Sequence, residues 1–282
     1  MSNGMLYLCA TPIGNLGDMT PRAVEILRSV DLIAAEDTRN SIKLLNHFDI
    51  HTPMTAYHEY NRFEKADELV GMLLEGKSIA CITDAGTPGI SDPGEVLVKK
   101  AVDAGIEVTA LPGASAVTSA LIISGLSTRR FRFEGFLPTE KKERAAILSE
   151  LRDQTATIVL YEAPHRLKKT LAELSEVFGD RETAVVKELT KLHEKVLRTT
   201  LFGAAAHFET EEPKGEYVLV IAGRDRKELE KEREASWEAL SIEEHLALYE
   251  KDGMDRKEAM KKVAKDRGLS KRDIYNALLR EE

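Results

Sequence analysis

Cysteine is almost missing from this chain: two in 282 residues, Cys9 and Cys81, far apart and each inside an apolar run. That spacing offers neither a disulfide framework nor a thiolate metal site. Both read as small buried residues of a protein kept in a reducing compartment. Long apolar runs are missing too. None approaches the ~18 residues that a membrane span needs, and no charged leader with an apolar stretch opens the sequence. A cytoplasmic protein with no membrane partner and no metal is expected. Tryptophan occurs once, and aromatic residues make up 6%. No internal repeat or low-complexity tract stands out. A strong charge of one sign is also absent: 40 basic residues face 48 acidic ones, for a net charge of −8. That balance weighs weakly against nonspecific nucleic-acid binding, but distribution matters more than the sum.

What remains is ordinary globular material, 43% hydrophobic and 31% charged, with a length that suggests about two domains. Short apolar strands alternate with amphipathic helices. Met5–Ala10, Leu32–Ala35, Ser78–Thr83 and Glu107–Leu111 read as strands. Thr20-Pro21 and Asp92-Pro93 read as a helix N-cap followed by a first-turn proline. Such alternation implies an α/β fold with a mainly parallel sheet. From Phe131 the pattern changes to strands that can pair antiparallel, with helices at Lys141–Arg152 and Leu167–Phe178. Arg224–Glu234 is charge-dense, and Trp237–Leu279 reads as a helical end. The expected domains are 1–127, 128–225 and 226–282.

Gly71 to Ser78 matches a P-loop letter for letter. A P-loop leads from a strand into a helix, so that amides and helix dipole face the phosphate. Here the helical pattern precedes the motif and the strand follows it. Gly76 therefore reads as a helix C-cap and Lys77 as a cation of the last turn. A Gly-x-Gly-x-x-Gly dinucleotide loop after the first strand is also lacking.

The informative loops all follow strand ends, where ligands bind in open α/β sheets. Thr11-Pro12-Ile13-Gly14-Asn15 follows the first strand. Asp84 to Gly94, rich in glycine and proline, is longer than a tight turn requires, so its backbone is expected to lie close to a ligand. Pro112-Gly113-Ala114-Ser115-Ala116 is a small-residue loop that would admit an adenine or ribose. Exposed amides at a helix start suit a polar cofactor tail. Glu36, Asp37, Arg39, His165, Arg166, Lys187 and Glu188 are the polar residues nearest the implied crevice. Two roles compete at several of them. Asp37 is either a base or a helix cap, and Lys187 and Glu188 either serve the reaction or form a structural ion pair. Arg39 and Arg166 also suit phosphates.

Taken in order, Ala10–Asp18, Ala35–Arg39, Thr83–Gly94, Leu111–Ala116, Tyr161–Arg166 and Lys187–Lys191 resemble the ribosomal RNA branch of the tetrapyrrole methylase family. The resemblance covers roughly residues 4 to 225 and extends toward the C-terminal helices. It implies two αβ domains of the tetrapyrrole methylase type with a cofactor cleft between them, plus a small helical domain. It implies S-adenosylmethionine as cofactor, 2′-O-methylation of a cytidine in the decoding centre of 16S rRNA or the small ribosomal subunit, and a homodimer. The cofactor contacts it implies are Pro12, Gly86, Thr87, Pro88, Ile90, Ser115, Ala116, Tyr161, Glu162 and Gly215. Thr87 stands where the family often has Asp. Asp37, Glu188, Arg39 and Lys187 are the residues expected to carry the chemistry, with Asp37 or Glu188 as base or orienting acceptor.

From Lys251 to Arg272, nine Lys or Arg stand against four Asp or Glu. Ala264, Gly268 and Ile274 fall where a helix-turn-helix needs a small residue, a turn glycine and a buried aliphatic. Val263, Leu269, Tyr275 and Leu278 are expected to bury the joint. That leaves Lys261, Lys262, Lys265, Lys271 and Arg272 outside, as expected RNA-backbone contacts alongside Arg166. Two other functions compete with this one: a tetrapyrrole or precorrin C-methyltransferase of the same fold, and a noncatalytic RNA-binding protein.

Overall fold

The computed structural model describes residues 3–238 and 240–281. Met1, Ser2, Ala239 and Glu282, which the domain ranges include, lie outside the described residues.

The first half alternates strictly. The elements are β1 (Met5–Cys9), α1 (Pro21–Ser29), β2 (Leu32–Ala35), α2 (Thr38–His47), β3 (Met54–Ala56), α3 (Arg62–Leu74), β4 (Ile79–Ile82), α4 (Gly94–Asp103), β5 (Glu107–Leu111) and α5 (Ala116–Ile123). The five strands pair in the order β3-β2-β4-β1-β5, all parallel. Central β4 is buried along its whole length, as a strand covered on both faces must be. Thr20 caps α1 from its side chain with Pro21 at the first turn. β3 falls where the sequence pattern placed no strand, because three half-buried edge residues carry no periodicity. Cys9 and Cys81 are buried in this sheet, and burial pushes both thiols up, Cys9 to about 12.

The apparent P-loop is the last turn of α3 and the entry to β4. Gly76 takes φ +95°. Its amide donates to the Leu73 carbonyl at 3.0 Å and that of Lys77 to Met72 at 3.1 Å, the paired bonds of a helix C-terminus. The motif's amides therefore satisfy carbonyls of the preceding helix.

The second half holds β6 (Phe131–Phe136), α6 (Lys141–Arg152), β7 (Thr157–Glu162), α7 (Pro164–Phe178), β8 (Glu182–Lys187), β9 (Lys195–Thr200), α8 (Leu201–Thr210) and β10 (Tyr217–Ile221). Its order is β6-β7-β10-β8-β9, parallel at β6/β7 and antiparallel elsewhere. One face of this sheet packs on α7 and α8 through Ile158, Leu160, Val185, Leu219 and Ile221. The other face carries Val159, Ala184, Val186, Val218 and Val220, and it meets Ile13, Val117, Ala120 and Leu121 of the first half. Contacts join the two halves into one compact unit, covering residues up to 151 and 156–222.

Residues 152–155 and those from 223 onward form a second unit. It contains α9 (Arg226–Glu238), α10 (Ile242–Lys251), α11 (Arg256–Asp266) and α12 (Lys271–Glu281). Ser241 and Glu244 cap the start of α10 reciprocally, and Asp255 caps α11. Leu246, Ala259, Val263, Ala264 and Ile274 form its small core. Leu278 packs against that core, but Leu269 and Tyr275, expected inside the joint, are exposed. The core is closed instead by Leu246, Val263 and Ile274 with Ile242, Tyr249, Met254 and Met260 packed against it. Lys261, Lys262, Lys265, Lys271 and Arg272 are all exposed.

Candidate functional site

The loops at the carboxyl ends of β1, β4 and β5 first hold one another. Thr11 and Gly86 exchange backbone hydrogen bonds, Thr11 N to Gly86 O at 2.9 Å and Gly86 N to Thr11 O at 3.0 Å. The Thr11 hydroxyl donates to the Thr83 carbonyl, and that of Thr87 to Ala114. Gly86 sits at φ +88°, and a Cβ there would lie 3.2 Å from Ile13 Cγ2. The close backbone approach expected against a ligand is thus, at this glycine, an approach of loop to loop. Asp92 organises the rest of the long loop. Its carboxylate accepts from the amides of Gly89, Ile90 and Gly94 within 3.0 Å, so it braces the turn as well as the start of α4.

These braced loops and the second sheet enclose a cavity of about 510 Å³, within the roughly 300–1,000 Å³ usual for small-molecule sites. Gly86, Thr87, Ile90, Ser115, Ala116, Tyr161 and Glu162 line it, as expected of cofactor contacts. Pro12, Pro88 and Gly215 do not line it; their neighbours Ile13, Thr87 and Glu216 do, which makes those three frame residues of the wall. Ser115 begins α5 without a side-chain cap. Burial pushes the Tyr161 hydroxyl up to about 12, with the backbone of Val117 as its hydrogen-bonding neighbour. The lining carries the carboxylates of Glu36, Asp84, Asp92, Glu162 and Glu216, and no Lys or Arg stands among the described lining residues.

The four polar residues expected to carry the chemistry stand outside that lining. Asp37 caps α2, and both of its oxygens are held by Arg39, which lowers its carboxyl to about 2. Glu188, at φ +52°, accepts from Lys191 Nζ and from the amide of Glu216, both at 3.0 Å. Burial pushes Glu188 up, yet Lys191 and the amide outweigh it and leave the carboxyl below its ordinary range. Gly215 belongs to the same lock: a Cβ there would lie 2.5 Å from the Glu188 carboxyl carbon. Lys187 places its ammonium 6.0 Å from the centre of the Tyr217 ring. Arg166, expected at RNA phosphates, turns inward instead. It pairs with buried Glu162 at 3.3 Å and donates to the Leu137 carbonyl. A buried carboxylate needs such a partner more than solvent-exposed RNA does. Glu162 also accepts from Thr170, which in turn receives a bond from Arg144.

Two carboxylates have the right placement: Glu36, named among the polar residues nearest the crevice but given no part in the chemistry, and Asp84, which the sequence pattern passed over. Glu36 lies on the cavity wall, where Thr83 donates to it at 2.5 Å and the amide of Asp84 at 3.3 Å. Asp84 stands beside it, one oxygen accepting from the Asp37 amide at 3.1 Å and the other from Asn40 at 3.3 Å. Partial burial raises the Asp84 carboxyl, and the charges of Glu36 and Asp37 add to that rise. Its position two residues beyond a buried parallel strand was the available signal. Among the described residues, no group of three or more His, Cys, Asp and Glu side chains is placed to hold a metal, and no helix is long and apolar enough to cross a membrane.

Residues 5–205 match the family model of the Tetrapyrrole (Corrin/Porphyrin) Methylases. The chain belongs to the tetrapyrrole methylases. Similar members of known name share far more than the family pattern. A "Ribosomal RNA small subunit methyltransferase I" of Synechocystis is 49% identical over 98% of both chains. Proteins of the same name from Halalkalibacterium halodurans and Bacillus subtilis are 50% and 46% identical, each over 97% of this chain and 94% of theirs. Among solved structures, diphthine synthase superposes at a TM-score of 0.60 with 16% identity, over 78% of this chain and 90% of that one. Uroporphyrin-III-C-methyltransferase from Thermus thermophilus gives 0.56 with 19% identity, over 78% and 94%. At such identities these two establish the shared methylase fold and nothing about substrate.

Proposed function

We propose that this methylase transfers a methyl group from S-adenosylmethionine to the 2′-oxygen of a cytidine in the decoding centre of 16S rRNA. The observation that carries the reading is a largely apolar cavity whose charged residues, among the described lining, are all carboxylates, in a chain about half identical, end to end, to proteins named for methylating small-subunit ribosomal RNA. A polyphosphate cofactor would be repelled there, whereas a cationic sulfonium fits the charge. Gly86, Thr87, Ser115 and Ala116 would border the donor, with Tyr161 on the opposite sheet. When bound, the donor supplies an electrophilic methyl group on sulfur.

The chain then has to orient the 2′-hydroxyl and take its proton. Positioning alone can supply much of the rate of an in-line displacement. Asp84 is the acceptor best placed for the proton: it reaches the cavity, its raised carboxyl makes it a better base than an ordinary aspartate, and the Asp37 amide and Asn40 fix its direction. Asp37 and Glu188 act at one remove, each already held by a cation. The exposed Lys261, Lys262, Lys265, Lys271 and Arg272 would bind rRNA phosphates, positioning the substrate without reading its sequence. A pigment methylase is the lesser reading, because a polycarboxylate pigment would meet like charge at Glu36 and Asp84.

The test is transfer of label from methyl-labelled donor to isolated small subunits, followed by nucleoside mass spectrometry. The expected product is 2′-O-methylcytidine at one position. Label on a base, on a pigment, or nowhere would overturn the reading.

A further inference from the structure

Strand β6 reads Phe-Arg-Phe-Glu-Gly-Phe, and strict alternation would put Phe131, Phe133 and Gly135 on one face and Phe136 on the other. The pairing with β7 slips instead. Phe133 stands opposite Val159, Gly135 opposite Leu160 and Phe136 opposite Tyr161, so Glu134 is the extra residue of a bulge. One inserted residue exchanges the faces of everything after it. Phe136 thereby leaves the side of Ile158 and Leu160, the apolar core against α7 and α8, for the side of Val159 and Tyr161.

The bulge also fixes where the ring goes. Gly135 adopts φ +67°, and a Cβ there would lie 3.1 Å from Ser91 Oγ, so the bulge abuts the long loop of the first sheet. The Phe136 ring stands 5.5 Å from Tyr161, which Phe133 supports edge-on at 5.0 Å. The result is an aromatic side chain that lines the cavity and is still 53% exposed, with Ile90 of the adjoining loop 47% exposed on the same cavity. An apolar pair on the cavity wall left half open to solvent can receive a flat apolar partner.

We propose that Phe136 is the stacking platform for the RNA nucleobase whose ribose is methylated, an inference that rests on the function proposed above. A ribose reaches an enclosed cavity only when its nucleotide leaves the stack, and unstacked bases are held on aromatic faces. The acceptor-only carboxylates on the same cavity suit a base that offers an exocyclic amine. The adenine of the methyl donor has the same stacking chemistry, so the test separates the two sources.

The full-length Phe136→Ala, Phe136→Leu and Phe136→Trp proteins are assayed for S-adenosylmethionine affinity by calorimetry and for methyl transfer to small subunits by steady-state kinetics. The Ala and Leu variants are expected to raise KM for the RNA substrate about tenfold or more, as loss of a base–aromatic stack does. Their kcat should change less and their donor affinity should hold, and the Trp variant should restore KM. Weaker donor binding in the Ala and Leu variants would assign the ring to the donor's adenine and overturn the proposal. An unchanged KM for RNA would overturn it as well. The wild-type arm keeps the two readings apart: donor binding without label in RNA defeats the substrate reading and the platform with it. Label in RNA that the Ala variant matches defeats the platform alone.

Discussion

The strand ends after β2 and after β8 look alike in sequence, Glu36-Asp37-Thr38-Arg39 and Lys187-Glu188-Leu189-Thr190-Lys191, and the folded protein uses them in opposite ways. After β2, Arg39 pairs with Asp37, while Glu36 on the same turn and Asp84, just beyond the neighbouring strand β4, stay at the cavity wall. After β8, Lys191 and the Glu216 amide satisfy Glu188, and its neighbour Leu189 provides the wall. Side-chain type therefore does not distinguish a carboxylate on the cavity from one held beside it. The partner that reaches it first does.

The largest effect should come from Asp84→Asn, which keeps the shape and the Asp37 amide contact but removes the base. Loss of a general base costs roughly 10²–10⁴-fold in rate, so single-turnover methyl transfer should fall at least about a hundredfold while calorimetric donor affinity holds. Gly86→Val should come next. A β-branched residue at φ +88° is strained by about 1–3 kcal/mol, and the Thr11 pairing would open with it. A lower melting temperature together with weaker donor binding is expected. Weaker binding at an unchanged melting temperature would show that the glycine serves ligand approach after all.

Gly215→Ala sharpens the other side of the comparison. The new Cβ would collide with the Glu188 carboxylate at φ +86°, so thermal stability should drop by about 1–3 kcal/mol with a smaller loss of rate. A rate loss as large as that of Asp84→Asn would place Glu188 in the chemistry. The smallest effect belongs to Lys77→Ala. Lys77 is half-exposed and pairs with Glu75 at 3.8 Å, and a cation at a helix end contributes about 0.3–1 kcal/mol. Methyl transfer should be unchanged.

Much of this was legible in the residues. The parallel pairing of the first sheet followed from strand–helix alternation, and the loops on the cavity followed from their place beyond strand ends, while the family resemblance singled out Gly86, Thr87, Ile90, Ser115 and Ala116 within them. The rejection of a P-loop followed from the direction of the helix at Gly71. Side-chain partnership was not legible, because each carboxylate has several cations within reach and burial decides which of them it takes. Nothing local to Asp84 shows that Asn40 and the Asp37 amide converge on it, and the four-residue spacing of Glu162 and Arg166 offers the pair without showing that Glu162 is buried and claims the guanidinium. The bulge at Glu134 was hidden too, since an alternating strand and a bulged one have the same composition.

The measurement that bears most directly on the account is the pH profile of single-turnover methyl transfer in the wild type, Asp84→Asn and Glu188→Gln. A base acts only when ionised, and burial raises the Asp84 carboxyl while Lys191 leaves that of Glu188 lowered. The wild type should therefore lose rate on acidification at a pH above the ordinary aspartate value of about 3.9. Glu188→Gln should keep that acidic limb in place, and Asp84→Asn should be slow with no limb. An acidic limb that survives in Asp84→Asn, or one that disappears in Glu188→Gln, would contradict the assignment of the cavity carboxylates to the chemistry.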